Sequence, residues 1–424
     1  MTTVTLPAPN PALVRSVAEQ AQALTPQLVQ WRRHLHAHPE LGWQEAATTA
    51  YVARHVEALG FDIKTGAPVI GSKTLGAPAE GPAHTGCIAE LHFDRPGPTV
   101  AIRADLDALP IHEVDTQGQG HRPAEEGWHS QHTGVMHACG HDGHLAIALG
   151  IAQIMAAQKA LLCGTLRLIF QPAEEGTRGA RAIVEQGWLD DVDVFLGFHI
   201  GLGVPSDTVA LDPVGFLATR KYSVTYHGAP AHAGRAPETG RNALLGACQA
   251  TLGLHALAQS GQPGIRVNVG TMHAGQALNI VPDEARFGVE LRAERQHDLD
   301  ALDPRVQALI TGTAAAHQLE ADIRLIGEAR DWENPADMVA WAREVAQCSG
   351  AFRDTVSRYD VRVSEDATLM THAVAARGGK AAYMVLGADL PSGHHTAEFD
   401  FDEGVLGKGV ALVGGMVGVV LGAG

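Results

Sequence analysis

The order of strands and helices changes twice along the chain, and this change restricts the possible folds most strongly. Up to residue 216 short apolar strands alternate with helices, and a similar alternation resumes at residue 332. Such alternation predicts a three-layer α/β domain with a mostly parallel sheet. Between residues 217 and 331 the order is instead β-α-β-β-α-β, the layout of a ferredoxin-like α+β domain. We therefore predict one discontinuous domain, 1–216 and 332–424, into which a smaller domain of 217–331 is inserted.

The composition narrows the classes of partner and location. With 45% hydrophobic and 18% charged residues, the chain resembles an ordinary globular protein rather than a disordered one. A formal net charge of −16 argues against nucleic acid as a partner, because phosphate binding requires a basic surface. The apolar segment GVALVGGMVGVVLGAG near the C-terminus is shorter than the ~20 residues of a membrane span, so we expect a buried helix and no membrane partner. Five scattered cysteines, and no signal-peptide pattern, predict a cytoplasmic location.

The segment GVMHACGHDGHLAIALG, residues 134–150, places Cys139 two residues before His141, just ahead of an apolar helix. A cysteine in this setting is most often a buried, unreactive thiol. It could also be a nucleophile, but a thiol enzyme needs a base and oxyanion donors, which nothing nearby selects. The third interpretation is a metal site, which needs more nitrogen, oxygen or sulfur ligands from elsewhere in the chain.

Further ligand candidates follow three predicted strands. LIFQPAEEG ends a strand with Glu174 and Glu175, and FLGFHIG ends one with His199. LPSGHHTAEFDFDE places His394 and His395 in a loop after a third strand. Each has an ordinary structural explanation by itself, either a solvated acidic turn or a hydrogen-bonded histidine. Together they favour the metal interpretation, because ligands bind at the carboxyl ends of strands in open α/β sheets and a Cys, His and Glu set suits Zn²⁺ or Mn²⁺.

Six motifs, in their order along the chain, resemble the M20 metallopeptidase family and in particular its amidohydrolase branch: RRHLHAHPELGWQE, AIRADLDALPI, MHACGHDGH, FQPAEEG, AHAGRAPETGRNAL and GHHTAEFDFDE. The likeness covers essentially the whole chain. EEGTRGARAIVEQGWLDDVDVF and SEDATLM further resemble one of the two subunits of p-aminobenzoyl-glutamate hydrolases. The resemblance implies a metal-dependent amidohydrolase that cleaves N-acyl or N-aroyl amino acids.

The same resemblance implies a set of metal ligands. Two divalent metal ions per subunit, Zn²⁺ or Mn²⁺ with Co²⁺ as a third candidate, would be bridged by the Cys139 thiolate. Glu175 and His395 would complete one metal site, and His141 and His199 the other. Two divalent cations favour a bridging thiolate at neutral pH, because they depress the thiol pKa far below its free value of ~8.5.

The resemblance also implies the catalytic groups. Glu174 would be the general base, which removes a proton from a metal-bridging water and returns it to the departing nitrogen. Asp105 of RADLD would be a carboxylate that orients a metal ligand. The family usually has Leu-His-Ser-Pro where this chain has GHHT. Counting back from Phe399 selects His395 as the ligand, and leaves His394 as a contact of a ligand or of the substrate.

The inserted domain is expected to act as a lid and a dimerisation domain. His232, in GAPAHAGRAPETG, is either an exposed loop histidine or, by the resemblance, an oxyanion donor that reaches the active site of a partner in a dimer. Asn279 and Arg292 correspond to the family pair that binds a substrate carboxylate, although an arginine on an exposed strand is usually just surface. The resemblance implies a homodimer, or a heteromer with a related chain.

Several functions remain open from the sequence. A p-aminobenzoyl-glutamate-like substrate is the first choice, and an indoleacetyl-aspartate-type or other N-acyl-amino-acid conjugate is the second. A thiol hydrolase that uses Cys139 as its nucleophile would not need added metal. A catalytically silent protein on the same fold would bind metal or ligand without turnover.

Overall fold

A computed structural model describes residues 5–72, 74–78, 84–258 and 264–422. The chain forms two compact units. The larger unit comprises Met1–Gly215, Trp332–Arg362 and Asp366–Gly424, and the smaller unit comprises Phe216–Asp331 and Val363–Glu365. The short second segment of the smaller unit lies outside the predicted range of 217–331.

The helices and strands are numbered along the chain. The helices are α1 (Pro11–Ala37), α2 (Ala46–Glu57), α3 (Ala67–Ile70), α4 (Arg122–Glu125), α5 (His141–Ala157), α6 (Ala180–Glu185), α7 (Ala243–Leu257), α8 (Gln296–Ala316), α9 (Ala336–Ser349), α10 (Ala367–Ala376) and α11 (Gly404–Leu421). The strands are β1 (Asp62–Thr65), β2 (Cys87–His92), β3 (Thr99–Asp105), β4 (Thr165–Gln171), β5 (Val194–Ile200), β6 (Thr208–Ala210), β7 (Pro213–Val214), β8 (Ala218–His227), β9 (Arg266–Ala274), β10 (Glu284–Ala293), β11 (Glu320–Ala329), β12 (Asp354–Val356), β13 (Tyr359–Asp360) and β14 (Lys380–Leu386).

The larger unit is built on a sheet with the strand order β1-β2-β4-β3-β5-β14-β6-β12. The central strands β4, β3, β5 and β14 run parallel, whereas β1 and β2 pair antiparallel at one edge. Almost every residue of the central strands is buried, so both faces of the sheet are covered, as is usual for parallel strands. The predicted α/β class with a mostly parallel sheet is therefore confirmed.

The first and last helices of the larger unit pack side by side. The α1 helix begins with an Asn10 cap, whose Oδ1 accepts the N–H groups of the first turn, and with Pro11 at the first helical position. It packs along α11 and α5. Gly407 permits the close approach, because a Cβ at this position would lie 2.4 Å from Thr25 Oγ1. The α11 helix is long and apolar enough to cross a membrane, yet 89% of it is buried within the protein, which confirms the expected buried helix.

The smaller unit contains the predicted β-α-β-β-α-β order. Its sheet runs β11-β8-β10-β9, and every neighbouring pair is antiparallel. Alternate residues of β8, namely Tyr222, Val224 and Tyr226, face the helices and are buried. The α8 helix begins at Gln296 and contains Pro304 in its interior.

The parallel strands fix the place of the ligand candidates. The carboxyl ends of β3, β4, β5 and β14 meet at the same edge of the sheet, where the following loops carry the polar motifs. The α5 helix starts at this edge as well, because Gly140 adopts a left-handed conformation (φ 93°) between Cys139 and His141 and turns the chain into the helix.

Candidate metal centre

Three predicted ligands from two segments form the first cluster. The ligand atoms of Cys139, His141 and His199 all lie within 4.8 Å of one another. The Cys139 Sγ atom is 3.5 Å from His199 Nε2. All three residues are at most 9% exposed, so a cation among them would be shielded from solvent.

A second cluster shares the same thiol. The ligand atoms of Cys139, Glu175 and His395 also lie within 4.8 Å of one another. His395 Nε2 is 3.3 Å from Glu175 Oε1, and the His395 backbone N–H donates to Ala138 O at 2.8 Å. The structure thus brings all five predicted ligands together as two triads, with Cys139 as their common member.

The histidine rings direct their Nε2 atoms at these clusters. His141 Nδ1 donates to Asp107 O (2.8 Å) and His199 Nδ1 to Ile200 O (2.7 Å), so Nε2 is the nitrogen of each ring that can bind a cation. His141 Nε2 and Glu175 Oε1 are buried and accept no hydrogen bond among the described residues. Buried polar atoms without a partner are costly, and a coordinated cation would satisfy them. The Cys, His and Glu donor set therefore fits two divalent metal ions.

Electrostatics at Cys139 do not favour a free nucleophilic thiolate. Burial raises the pKa of the Cys139 thiol, and the nearby Glu175 and Glu174 carboxylates raise it further. Catalytic thiols need the opposite shift. Burial also lowers the pKa of His199, together with its histidine neighbours, so this ring stays neutral as a metal ligand requires.

The predicted base lies beside the first cluster. Glu174 Oε2 is 3.9 Å from His141 Nε2, and Glu174 is only 9% exposed. The ligand atoms of Glu174, Glu175 and His141 lie within 4.8 Å of one another. One of the two adjacent glutamates can therefore bind a cation while the other faces a reacting group.

Asp105 contacts two histidines of α5. Its Oδ1 accepts from His144 Nδ1 at 2.7 Å, and its Oδ2 lies 3.5 Å from His141 Nε2. Burial alone would raise the pKa of Asp105, but Arg103 and these histidines hold it well below the usual range. Arg103 Nη1 donates to Asp105 Oδ2 at 2.6 Å. Asp105 is therefore a fixed anion next to the predicted ligands.

The sequence did not point to Asp107, which fixes the backbone of the turn that carries Glu174 and Glu175, called here the glutamate turn. Its two carboxylate oxygens accept the backbone N–H groups of Glu174 (3.0 Å) and Glu175 (2.9 Å), while its backbone O accepts from His141. Ala173, ahead of the pair, has a left-handed backbone (φ 50°) and donates to Glu45 Oε1 at 2.7 Å. The available signal was the spacing of two from Asp105, which puts both aspartates on one side of an extended segment.

Buried charges anchor the first turn of α5 from behind. Arg32 of α1 is fully buried and forms ion pairs with Asp142 (2.9 Å), Asp400 (2.8 Å) and Glu403 (3.1 Å). Its guanidinium also lies over the Phe401 ring, 4.0 Å from the centroid. Arg32 therefore ties the residue after His141 to the segment that follows His395.

His36 extends this charged group. Its Nδ1 and Nε2 contact Asp142 Oδ2 and Glu113 Oε1, both at 2.9 Å. Burial alone would lower the pKa of His36, but these hydrogen bonds raise it to about 9. The motif RRHLHAHPE thus supports the segments that carry the predicted ligands His141 and His395.

The predicted residues of the smaller unit do not all come together. The loops of His232 and Asn279 pair through Ala233 N–H, which donates to Asn279 O at 3.0 Å, and both side chains are exposed. Arg292 lies near the far end of β10, where Nε and Nη2 both lie 3.0 Å from the Glu290 carboxylate. At ~3.4 Å per residue, Arg292 lies roughly 27 Å along β10 from Glu284, and the loop of Asn279 joins β10 at its Glu284 end. One chain therefore cannot place both side chains on one carboxylate.

His394, predicted as a ligand or substrate contact, is engaged by the protein. Its Nε2 accepts the backbone N–H of Leu202 at 3.0 Å, and its ring packs against Phe399 with centroids 5.0 Å apart. His395, in contrast, has a half-exposed side chain and points to Glu175.

Known proteins resemble the chain over most of its length. It is 42% identical over 414 residues to indole-3-acetyl-aspartic acid hydrolase of Enterobacter agglomerans, covering 92% of this chain and 94% of that protein. It is 40% identical over 418 residues to one of the subunits of p-aminobenzoyl-glutamate hydrolase from Escherichia coli strain K12, covering 93% and 95%.

A solved structure agrees with the fold. The YXEP protein of Bacillus subtilis, described as a dinuclear metal binding peptidase from the M20 family, superposes with a TM-score of 0.67 at 26% identity, covering 94% of this chain and 99% of that one. The profile of peptidase family M20/M25/M40 matches residues 101–418. As its motifs predicted, the chain belongs to peptidase family M20/M25/M40 and is a hydrolase of that family.

Proposed function

We propose that the chain is a two-metal amidohydrolase that cleaves the amide bond of N-acyl or N-aroyl amino acids. The observation that carries the proposal is the pair of triads that share Cys139. Cys139, His141 and His199 would hold one cation, and Cys139, Glu175 and His395 the other. Zn²⁺, Mn²⁺ and Co²⁺ all suit this donor set. When bound, the metals supply Lewis acidity, which polarises the substrate carbonyl and lowers the pKa of the attacking water.

Glu174 is the proposed general base. It takes a proton from the attacking water and delivers it to the amide nitrogen, which would otherwise be a very poor leaving group. The backbone N–H of Glu174 donates to Asp107 Oδ1, and this hydrogen bond fixes the main chain from which the Glu174 carboxylate extends. Asp105, an anion held by Arg103, orients His144, and Asp107 O orients His141.

We propose that the substrate joins an aromatic acyl group to an acidic amino acid. The two relatives named above act on p-aminobenzoyl-glutamate and indole-3-acetyl-aspartate, and both names combine these two parts. The p-aminobenzoyl-glutamate type remains the first choice and the indoleacetyl-aspartate type the second. Arg292, at 33% side-chain exposure, would bind the α-carboxylate of the leaving amino acid.

The positions of the predicted substrate-binding residues in the smaller unit favour an assembly with a second copy of the chain. Because the Asn279 loop and Arg292 lie at opposite ends of β10, the two side chains can bind one carboxylate only if they come from different protomers. We propose a homodimer in which His232 and Asn279 serve the partner's site. Exposed apolar side chains on α7, the edge strand β9 and the Asn279 loop offer the surface: Leu245, Leu252, Met272, Leu278 and Ile280. The Escherichia coli relative is named as one subunit of its enzyme, which makes a heteromer the alternative.

The location is also a proposal. All five cysteines are free, and three of them are buried, which agrees with a reducing compartment such as the cytoplasm.

The test is a hydrolysis screen on purified protein reconstituted with Mn²⁺, Zn²⁺ or Co²⁺. p-Aminobenzoyl-glutamate, indole-3-acetyl-aspartate and N-acetylcysteine would be offered, with product amino acid as the readout. Glu174→Ala should keep metal binding and lose turnover by about 10²–10⁴-fold, as loss of a general base does. The control is Glu185→Ala, a glutamate of α6 paired with Arg181. Wild-type turnover in Glu174→Ala would eliminate this base, and turnover unaffected by a chelator would eliminate the metals.

A further inference from the structure

Two histidines outside the proposed ligand set flank His199. The backbone N–H of Ile200 donates to His144 Nε2 at 3.0 Å, and the backbone N–H of Leu202 donates to His394 Nε2 at 3.0 Å. Ile200 is the last residue of β5, directly after His199, and Leu202 lies two residues beyond it. Both acceptors come from other segments, His144 from the first turn of α5 and His394 from the loop after β14.

The two rings also enclose the His199 ring. The His144 and His199 centroids are 4.7 Å apart with an interplanar angle of 76°, and the His394 and His199 centroids are 5.4 Å apart at 70°. These are edge-to-face contacts, the preferred arrangement of aromatic pairs. Gly201 makes room for the second contact, because a Cβ there would lie 3.0 Å from His394 Nε2, and its φ of +84° suits glycine. The ring of His199 is therefore restrained from two sides.

The hydrogen bonds define the protonation of the flanking rings. Since a backbone N–H points at each Nε2, that nitrogen carries the lone pair and the proton resides on Nδ1. The Nδ1 proton of His144 is donated to Asp105 Oδ1 at 2.7 Å. The imidazole of His144 thus connects β3, α5 and β5. The imidazole of His394 connects the segment just after β5 to the loop that carries His395.

We propose that His144 and His394 are positioning residues that hold His199 with its Nε2 directed at Cys139, an inference that rests on the proposed metal site. Neither ring binds the cation. They act through the backbone on either side of Gly201 and through ring contact. Removing either acceptor leaves a backbone N–H without that partner, buried at Ile200 and partly buried at Leu202, and frees the end of β5 to move away from Cys139.

The test measures metal binding rather than turnover. Metal-free protein would be titrated with Co²⁺, following the visible absorption of the bound ion and its thiolate charge-transfer band. In His144→Leu and His394→Leu, one of two Co²⁺ equivalents should bind about 10–100-fold more weakly, as is usual when a partner of a metal ligand is lost. His394→Gln should restore the affinity, because its amide oxygen can take the place of Nε2. The control is His372→Leu on α10, whose ring packs edge-to-face on Trp332 at 5.1 Å.

The outcomes separate this inference from the proposed function. Wild-type protein that binds no Co²⁺ would overturn both. Wild-type protein that binds two equivalents, with both leucine variants binding them as tightly as His372→Leu, would overturn the positioning role alone. If a leucine variant fails to fold by circular dichroism, His394→Gln is compared with His394→Asn, whose shorter side chain cannot reach the Leu202 N–H. Equal Co²⁺ affinity in those two variants would also overturn the positioning role.

Discussion

Replacing Arg32 with methionine removes a fully buried cation from between three carboxylates. Asp142, Asp400 and Glu403 are at most 9% exposed in their side chains, so each loses a partner in a region that water does not reach. Breaking a buried ion pair from one side typically costs about 3–5 kcal/mol. Asp142 keeps its contact with His36, and the other two carboxylates keep Arg122, so we expect the low end, about 3 kcal/mol.

The assay is thermal unfolding followed by calorimetry at pH 7 and constant metal concentration. At about 2.1 cal/mol/K per residue, a unit of roughly 300 residues unfolds with an entropy of ~0.6 kcal/mol/K, so Arg32→Met should lower Tm by ~5 °C. The matched control is Arg33→Met, the next residue, whose side chain is 30% exposed and pairs with Glu126 and Glu403. Because the Arg33 side chain is partly in water and Glu403 keeps Arg32 and Arg122, this loss should cost about 1 kcal/mol, or ~2 °C. Equal losses in the two variants would refute the reasoning from burial.

Four further changes are predicted to have measurable effects: a rise in pH, loss of Asp107, removal of metal and loss of the proposed carboxylate contact of Arg292. His36 has a pKa raised from 6.5 to about 9, so its stabilisation is complete below pH 6.5 and is lost as the pH rises to 9. Urea unfolding should show a loss on the order of 3 kcal/mol over this window, and His36→Gln should flatten it. Asp107→Ala frees two backbone N–H groups, so calorimetric titration should show metal affinity about 10–100-fold lower, whereas unchanged affinity would contradict the anchoring role. Chelation should lower Tm by about 4 °C relative to protein with metal at 100 times Kd, in differential scanning fluorimetry. Arg292→Ala should raise KM for N-acyl amino acids but not for an acyl amine without a carboxylate. Equal effects on both substrates would argue against binding of the substrate carboxylate by Arg292.

The sequence predicted the ligand segments because their positions follow from sheet topology. Glu174, Glu175 and His199 come at or just after the ends of strands, and parallel strands bring those ends to one edge whatever the details of packing. Asp107 was within reach of the same reasoning, since it follows Asp105 at a spacing of two. Its hydrogen bonds to the glutamate turn were not, because they depend on the path of a loop about 67 residues further along the chain.

The long-range ion pairs could not be predicted from the sequence, for a different reason. The partners of Arg32 are 110 to 371 residues away, and no local pattern distinguishes a buried arginine from the surface arginine beside it. The contacts of His144 are not evident from the sequence either, because nothing in HDGH reveals that its ring spans from Asp105 to the end of β5. In the smaller unit, the start of α8 is not evident from the sequence, because a proline usually marks the first turn of a helix, whereas Pro304 lies in the interior of α8.

The contact of α1 with α11 has a consequence for synthesis on the ribosome. The smaller unit is formed almost entirely by one continuous stretch of chain, so it can fold while the rest is still being translated. In the larger unit, α1 packs against α11, so this contact forms only after α11 has been synthesised. The ion pairs of Arg32 likewise require Asp400 and Glu403. A nascent chain therefore carries exposed apolar surface on α1 until α11 has been translated, and stalling before residue 400 should yield a chaperone-dependent intermediate in which only the smaller unit is folded.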